Sequence, residues 1–123
     1  MSTRLVGYET LMNAQAVAQA ATGYSDSMKF DRLTGEVCVF AVSASAGAAT
    51  ITITQQCSMD DTNWYDPVNS AGSAVGSVQS ALAVTAGKWI VYSPILAPYG
   101  RFKVVEGNTA ACTVTLKLIF QEE

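Results

Sequence analysis

Apolar and polar residues alternate along several short segments of this chain, and this pattern constrains the fold more than any other feature. The clearest cases are Ile51-Thr52-Ile53-Thr54 and the run from Cys112 to Phe120. Successive side chains of a β-strand point to opposite faces, so each run predicts a strand with one buried face. The run from Glu36 to Ala44 is almost wholly apolar, which predicts a strand covered on both faces or lying inside a sandwich.

Turn residues and prolines separate these segments. Ser45-Ala46-Gly47 predicts a hairpin over residues 37–54, and the small, polar stretch near Val75–Val84 predicts an edge strand. The two prolines of Ser93-Pro94-Ile95-Leu96-Ala97-Pro98 exclude an interior strand or a helix, so this segment is predicted to cross between sheets. Because there is no long helical period and no βαβ rhythm, we predict an all-β fold, an antiparallel β-sandwich of about eight strands, jelly-roll or immunoglobulin-like.

Residues 1–20 lack a firm period and are predicted to form an N-terminal arm, followed by one β-sandwich domain over residues 21–123. The apolar spacing near the start allows a short helix. The segment from Asn13 to Ala21 is ambiguous, because its alanine content favours a helix whereas its alternation favours a strand. The arm is too apolar for a free solvated tail, so we expect it to order on a neighbouring subunit or on the larger assembly to which the protein binds. The residues assigned to this contact are Leu5, Tyr8, Leu11, Met12 and Val17.

The charge distribution argues against two classes of partner. The Lys and Arg residues are scattered singly and the formal net charge is −3, so no basic stripe is available to bind nucleic acid. No apolar run reaches the roughly 18 residues that suggest a membrane-spanning helix, so no membrane contact is expected. Polar residues also interrupt any secretory signal, which predicts synthesis in a cytoplasm.

The residue types present also limit the chemistry. Histidine is absent, which excludes Ser-His-Asp and Cys-His catalytic arrangements and zinc sites built on histidine. Glycine-rich nucleotide-binding loops are absent as well, so we predict no enzymatic activity, no cofactor and no metal. Cys38, Cys57 and Cys112 lie within or in phase with apolar runs and are predicted to be buried as small hydrophobic residues, with an inter-subunit disulfide as the alternative.

Acidic and aromatic residues concentrate together only between Ser58 and Pro67. We predict a turn in which Asp and Asn side chains bind backbone N–H groups and Trp64 plugs the end of the sandwich. The alternatives are a calcium site, for which the EF-hand pattern fails, and paired-carboxylate chemistry. The residues assigned to this turn or ligand loop are Ser58, Asp60, Asp61, Asn63 and Trp64. A further alternative is a sugar-stacking platform of Trp64, Tyr65, Trp89, Tyr92 and Tyr99.

Several stretches, taken in order, carry a resemblance to a known family. They are Tyr24-Ser25-Asp26-Ser27-Met28-Lys29-Phe30, the segment 37–54, the turn Ser58-Met59-Asp60-Asp61-Thr62-Asn63-Trp64, the strand Arg101-Phe102-Lys103-Val104-Val105 and the closing strand Val114–Phe120. Over roughly residues 22–121 the chain resembles small virion proteins of tailed bacteriophages, β-sandwiches with an S-x-D-x-x-x-W turn. In this chain Asp61 stands where Gly is frequent in that family.

The resemblance implies a non-enzymatic structural role on a virion. We expect a capsid decoration (cement) protein on the outer capsid surface, synthesised in the host cytoplasm, that stabilises the head by binding across capsomers. Its expected partners are the major capsid protein and copies of itself. One alternative is a carbohydrate- or receptor-binding module of a virion that binds a host-surface glycan. The other is an extracellular filament subunit assembled through its N-terminal segment.

Overall fold

The computed structural model describes residues 5–31, 33, 35–45, 49–83 and 85–122. Within these ranges the chain forms strands and no helix. In chain order the strands are β1 Leu5–Val17, β2 Thr22–Tyr24, β3 Met28–Lys29, β4 Val37–Ser45, β5 Thr50–Ser58, β6 Ser77–Ala83, β7 Lys88–Tyr92, β8 Tyr99–Glu106 and β9 Cys112–Glu122.

The strands form two antiparallel sheets, which confirms the predicted β-sandwich. The first sheet has the order β1-β9-β4-β7, and the second has the order β2-β8-β5-β6, with β3 also paired to β8. The hydrophobic core draws alternate residues from both sheets, among them Val39 and Leu116 from the first and Ile53 and Phe102 from the second. The alternation along the central strands therefore arises because one face of each strand packs on the opposite sheet.

Two predictions about single segments agree with the structure. Strand β6 pairs with β5 and lies at an edge of the second sheet, where the sequence predicted an edge strand. The segment Ser93–Pro98 connects β7 of the first sheet to β8 of the second, as its two prolines indicated. A crossover of this kind leaves the ladders intact, since neither proline has to donate a hydrogen bond within a sheet.

The predicted hairpin over residues 37–54 is wrong. Strand β4 pairs with β7 and β9 in the first sheet, whereas β5 pairs with β6 and β8 in the second. A short turn-forming segment reverses the chain direction whether the next strand pairs with its predecessor or faces it across the core. Here the apolar faces of both strands are buried in one core, so the chain changes sheets at this point.

The N-terminal arm also requires correction, because residues 5–17 are the edge strand β1 of the sandwich. Strand β1 pairs with β9 from Leu5 opposite Glu122 to Val17 opposite Cys112. Of the residues assigned to the arm, Leu11, Met12 and Val17 are buried in the core of their own chain and Tyr8 is exposed, whereas the side chain of Leu5 lies outside the described part of the structure. Burial within one chain requires no association, so Leu11, Met12 and Val17 are covered without a neighbouring subunit.

The pairing of β1 is irregular. The register shifts between Thr10 and Met12 and again between Met12 and Gln15, and Ala14 adopts a positive φ of 48°. An extra residue in one strand reverses which side chains face the core, so a strict alternation cannot run through the bulge. These bulges explain why the first 20 residues show no clear strand period.

Candidate functional site

The loop after β5 closes on itself through Ser58 and Asp60. The Asp60 carboxylate accepts hydrogen bonds from the backbone N–H groups of Thr62 (3.0 Å) and Asn63 (2.9 Å), and from the Asn63 side-chain amide (2.7 Å). The Ser58 hydroxyl donates to Asp60 Oδ1 (3.0 Å) and accepts from the backbone N–H of Asp61 (2.9 Å). Asp and Asn side chains therefore close this turn on the backbone, the geometry of an Asx turn.

These contacts set the charge state of Asp60 and the conformation of its neighbour. Hydrogen bonds from the backbone N–H groups of Asn63 and Thr62 hold the pKa of Asp60 far below its usual range. Asp61 adopts a positive φ of 60°, a conformation that Gly favours and that Asp tolerates. This accounts for an Asp at the position where the resembling family frequently has Gly.

The turn has little capacity left for a metal ion. Both Asp60 oxygens already accept hydrogen bonds from within the loop. In the part of the chain that the structure describes, no three His, Cys, Asp or Glu side chains form a group that could hold a metal ion. The loop therefore serves as a local structural turn in this conformation.

Trp64 is not the plug of the sandwich that the sequence predicted. Its side chain is half-buried and lies outside the hydrophobic core cluster. The guanidinium carbon of Arg101 lies 4.6 Å from the centre of the Trp64 ring and 4.3 Å from the centre of the Tyr24 ring. Arg101 points outward from β8, between the core residues Gly100 and Phe102, so Trp64 covers the outer face of the second sheet.

A chain of hydrogen bonds extends this contact across the outer face of the second sheet. Arg101 Nε donates to Gln56 Oε1 (2.8 Å), and Gln56 Nε2 donates to Asp66 Oδ1 (2.9 Å). Lys103 Nζ donates to the other Asp66 oxygen at 2.9 Å. The hydrogen bond from Gln56, followed by that from Lys103, lowers the pKa of Asp66. The outer face of the second sheet is therefore a fixed polar and aromatic array.

The predicted sugar-stacking aromatics do not come together. Trp64 and Tyr99 belong to the second-sheet side of the molecule, whereas Trp89 is exposed on β7 of the first sheet. Tyr92 lies on the opposite face of β7 from Trp89 and contacts Phe102 edge-on, with ring centres 6.1 Å apart. Burial raises the pKa of Tyr92 well above its usual value. One common platform of these five rings is therefore not present.

An apolar groove of about 640 Å³ opens beside the loop, at the end of the second sheet where β5 stops and β8 begins. Three of its lining residues are strongly exposed: Leu96 (96%), Met59 (83%) and Tyr65 (65%). The remaining lining residues are Asp31, Cys57, Ser58, Ala97 and Pro98. Exposed apolar side chains gathered around one concavity are typical of a binding surface rather than of ordinary protein exterior.

The buried side chain of Gln55 fixes the crossover that carries Leu96. Gln55 Nε2 donates to the Ile95 carbonyl (3.0 Å), and the Ile95 N–H donates to Gln55 Oε1 (3.0 Å). The Tyr92 hydroxyl donates to the same oxygen at 3.3 Å. With Ile95 held against the core side, the next residue, Leu96, projects into solvent. Neither Leu96 nor Met59 has a local sequence signature of a binding residue, although the flanking prolines indicated that the crossover lies outside both sheets.

At the other end of the second sheet, Glu106 is a buried carboxylate that organises two turns. Its Oε1 accepts hydrogen bonds from the backbone N–H groups of Ala20 (3.1 Å) and Thr109 (2.9 Å). Burial alone would raise the pKa of Glu106, but N–H donors, led by that of Ala20, outweigh it and the pKa lies below the usual value. Glu106 therefore has a structural role in joining β1 to the turn before β9.

The three cysteines are free thiols within this chain. Cys112 is buried as predicted, whereas Cys38 and Cys57 are half-buried. Burial raises the pKa of the Cys57 and Cys112 thiols, which disfavours the reactive thiolate. Across the described residues no helix has the length and apolar character needed to span a membrane.

No protein family model matches the sequence, and no curated protein matches it. Among solved structures, the chain is similar to a chain in the structure of infectious bursal disease virus, Gx strain, with a TM-score of 0.60 and 12% sequence identity. It is equally similar, at a TM-score of 0.60 and 12% identity, to a chain in the crystal structure of the infectious bursal disease virus VP2 subviral particle.

These likenesses cover 98% of the present chain but 32% and 33% of the two viral chains, so the chain spans about a third of their length. At 12% identity they establish a shared fold. The shared part is nearly the whole sandwich described above.

Proposed function

We propose that this protein is a non-enzymatic structural component of a virion, and more specifically a capsid decoration (cement) protein on the outer capsid surface. The observation that carries the proposal is the fold, which over 98% of the chain is similar to that of chains from a virus and a subviral particle. The S-x-D-x-x-x-W turn and the strands around it support the bacteriophage context. In this proposal the protein is made in the host cytoplasm and binds the major capsid protein and copies of itself.

The groove beside the Ser58–Trp64 loop is the proposed contact with the capsid. Leu96, Met59 and Tyr65 are exposed there, and burying them against a shell would remove apolar area from water. The segment that carries Leu96 is held by the buried Gln55 side chain, so the contact is formed in advance and little ordering entropy is lost on binding. Many identical contacts on a lattice would reinforce the head even if each one is weak.

Co-sedimentation with capsids that lack this protein tests the proposal. The wild-type protein is expected to co-sediment with the capsids and to raise the temperature at which they rupture. Leu96→Lys should weaken binding to the capsids at least tenfold, because it places a charge in the apolar contact. The rise in rupture temperature should be lost with it. The matched control is Val68→Lys, since Val68 is exposed but does not line the groove. Absence of wild-type binding to capsids would refute the decoration role.

A glycan-binding role on a virion is the second candidate, favoured by the exposed Tyr65 ring beside the groove. A binding module should retain a host-surface glycan as isolated protein, and Tyr65→Ala should abolish this without lowering the melting temperature. The filament alternative depended on a free N-terminal segment. Because β1 pairs with β9 of its own chain, that segment is not free to add to a neighbouring subunit in this structure.

A further inference from the structure

An apolar row crosses the outer face of the first sheet on all four of its strands, and on β9 it is flanked by Thr115, Lys117 and Gln121. Its register aligns Tyr8 of β1 with Ile119 of β9, Ile119 with Cys38 of β4, and Cys38 with Val91 of β7. The residues between these positions, such as Val39, Leu118 and Ile90, are buried in the core, so this row points to the outside. A parallel row contains Lys117, Phe40 and Trp89.

This face is exposed and nearly free of charge. Val6 (69%), Tyr8 (63%), Trp89 (61%) and Val91 (56%) all lie on it. Among the paired strand residues described on this face, Lys117 is the one charged group, and its ammonium lies 5.4 Å from the centre of the Tyr8 ring. The exposed Glu36 lies just before β4. The outer face of the second sheet is different, because Arg101, Lys103 and Asp66 are linked there by hydrogen bonds.

The exposed apolar area is large enough for a specific interface. Complete burial of an aromatic side chain removes about 150–250 Å² from water, so Tyr8 and Trp89 together offer roughly 250 Å². The two valines and the half-buried Phe40, Cys38, Val42 and Ile119 add to this area. A standard interface buries about 800 Å² on each partner, of which a little over half is apolar. This face can therefore supply the apolar centre of such an interface.

We propose that a second copy of this chain covers this face, so that two first sheets pack face to face in a dimer. Sheets with apolar faces stack about 10 Å apart in sandwiches, and the same geometry is available between chains. A second copy is the occupant that fits best, because the face offers a charged partner almost nothing to bind. The lone Lys117 already interacts with a ring, and the net charge of −3 gives weak self-repulsion.

Formation of the dimer is independent of the proposed function. Only the role of the dimer on a capsid rests on that function. The groove at Leu96 belongs to the loop and crossover at the end of the second sheet, away from the dimer face. Each dimer would therefore present two grooves to the capsid lattice. Two linked contacts bind with higher avidity than one, provided that both can engage at once.

Analytical ultracentrifugation of the purified protein tests this inference. The wild-type protein is expected to dimerise, and Trp89→Lys should weaken the dimer at least tenfold. Leu96→Lys is the matched control, since Leu96 is equally apolar and exposed but lies in the groove, and this variant should remain dimeric. Val91→Lys is a second disruptive variant, and thermal unfolding of each variant verifies that it is folded.

The possible outcomes separate the two proposals. A wild-type protein that stays monomeric into the millimolar range, or a dimer unaffected by both folded face variants, overturns the dimer. If a monomeric wild type binds capsids and Trp89→Lys abolishes that binding, the face contacts the capsid instead and the second copy is wrong. If the dimer forms as described but does not bind capsids, the dimer stands and the proposed function fails.

Discussion

The guanidinium carbon of Arg101 lies 4.6 Å from the centre of the Trp64 ring, and this contact determines the role of the Ser58–Trp64 loop. The ring interacts with a cation on the outer face of the second sheet instead of entering the core. The Trp64–Arg101 contact attaches the loop to the sheet surface, together with the backbone hydrogen bonds between Cys57 and Tyr65. The loop's own hydrogen bonds hold its shape. This arrangement leaves the neighbouring groove open.

We expect Trp64→Ala to lower the free energy of unfolding by only about 1–2 kcal/mol, because Trp64 is half-buried at the surface. Phe102→Ala, at a fully buried position, should cost about 3–5 kcal/mol. Urea denaturation measures both values. A double-mutant cycle with Arg101→Ala should give a coupling of about 0.5–1 kcal/mol. If Trp64→Ala lowers the free energy of unfolding as much as Phe102→Ala does, Trp64 packs in the core after all.

The depressed pKa of Asp60 predicts a pH-dependent contribution to stability. A carboxyl group whose pKa is lower in the folded state than in the unfolded chain stabilises the fold above the unfolded pKa of about 4. That stabilisation is lost as the pH falls towards the folded pKa. Asp60→Ala should therefore lower the melting temperature most at neutral pH, and the difference from wild type should shrink below about pH 4.

Asp61→Asn is the control for this experiment, because Asn also tolerates the positive φ at that position. Its melting temperature should follow that of the wild-type protein across the same pH range. If the two variants show the same pH dependence, the Asp60 hydrogen bonds are not its source.

Gln55→Leu should destabilise the protein by about 3 kcal/mol. The change removes both hydrogen bonds to Ile95 and the one from Tyr92, and it leaves buried groups without partners. The matched control is Gln79→Leu on β6, where the half-buried side chain donates a hydrogen bond to the neighbouring Ser80 carbonyl. That change should stay within about 0.5 kcal/mol of wild type by chemical denaturation. Equal effects of the two changes would contradict the role given to Gln55.

Ser43→Ala should raise stability by about 1 kcal/mol, because the buried Ser43 hydroxyl has no hydrogen-bond partner among the described residues. Ser25→Ala is the natural comparison. The Ser25 hydroxyl accepts a hydrogen bond from the Phe102 N–H (2.8 Å) and donates to the Asp26 carbonyl (2.8 Å). Its removal should cost about 1–2 kcal/mol. A destabilised Ser43→Ala variant would mean that the hydroxyl has a partner in solution.

The sequence predicted the strands whose surroundings are uniform along their length. Strand β9 alternates cleanly, and β5 does so from Thr50 to Gln55, because one face packs on the opposite sheet there. Strand β1 was missed because its bulges break the alternation between Thr10 and Gln15. The sequence also did not predict that β5 belongs to the second sheet, since residues near a turn do not encode which distant strand will pair with the next segment.

The candidate site was predicted only where its contacts are local. Asp60 binds N–H groups two and three residues away, and such a turn can be read from neighbouring residue types. Trp64 depends on Arg101, which is distant in sequence and is positioned by the second sheet. The exposure of Leu96 depends on Gln55, 40 residues away. Contacts of this range follow from the assembled fold and have no signature in adjacent residues.

Strand β9 lies between β1 and β4 in the first sheet, although it comes after every other strand in the chain. Neither the pairing of β1 with β9 nor that of β4 with β9 can form until synthesis has passed residue 112. The first sheet can therefore close only once β9 has been synthesised and lies between β1 and β4. Until β9 inserts, β1 has no strand to pair with in this sheet, so an outer face that spans all four strands cannot form.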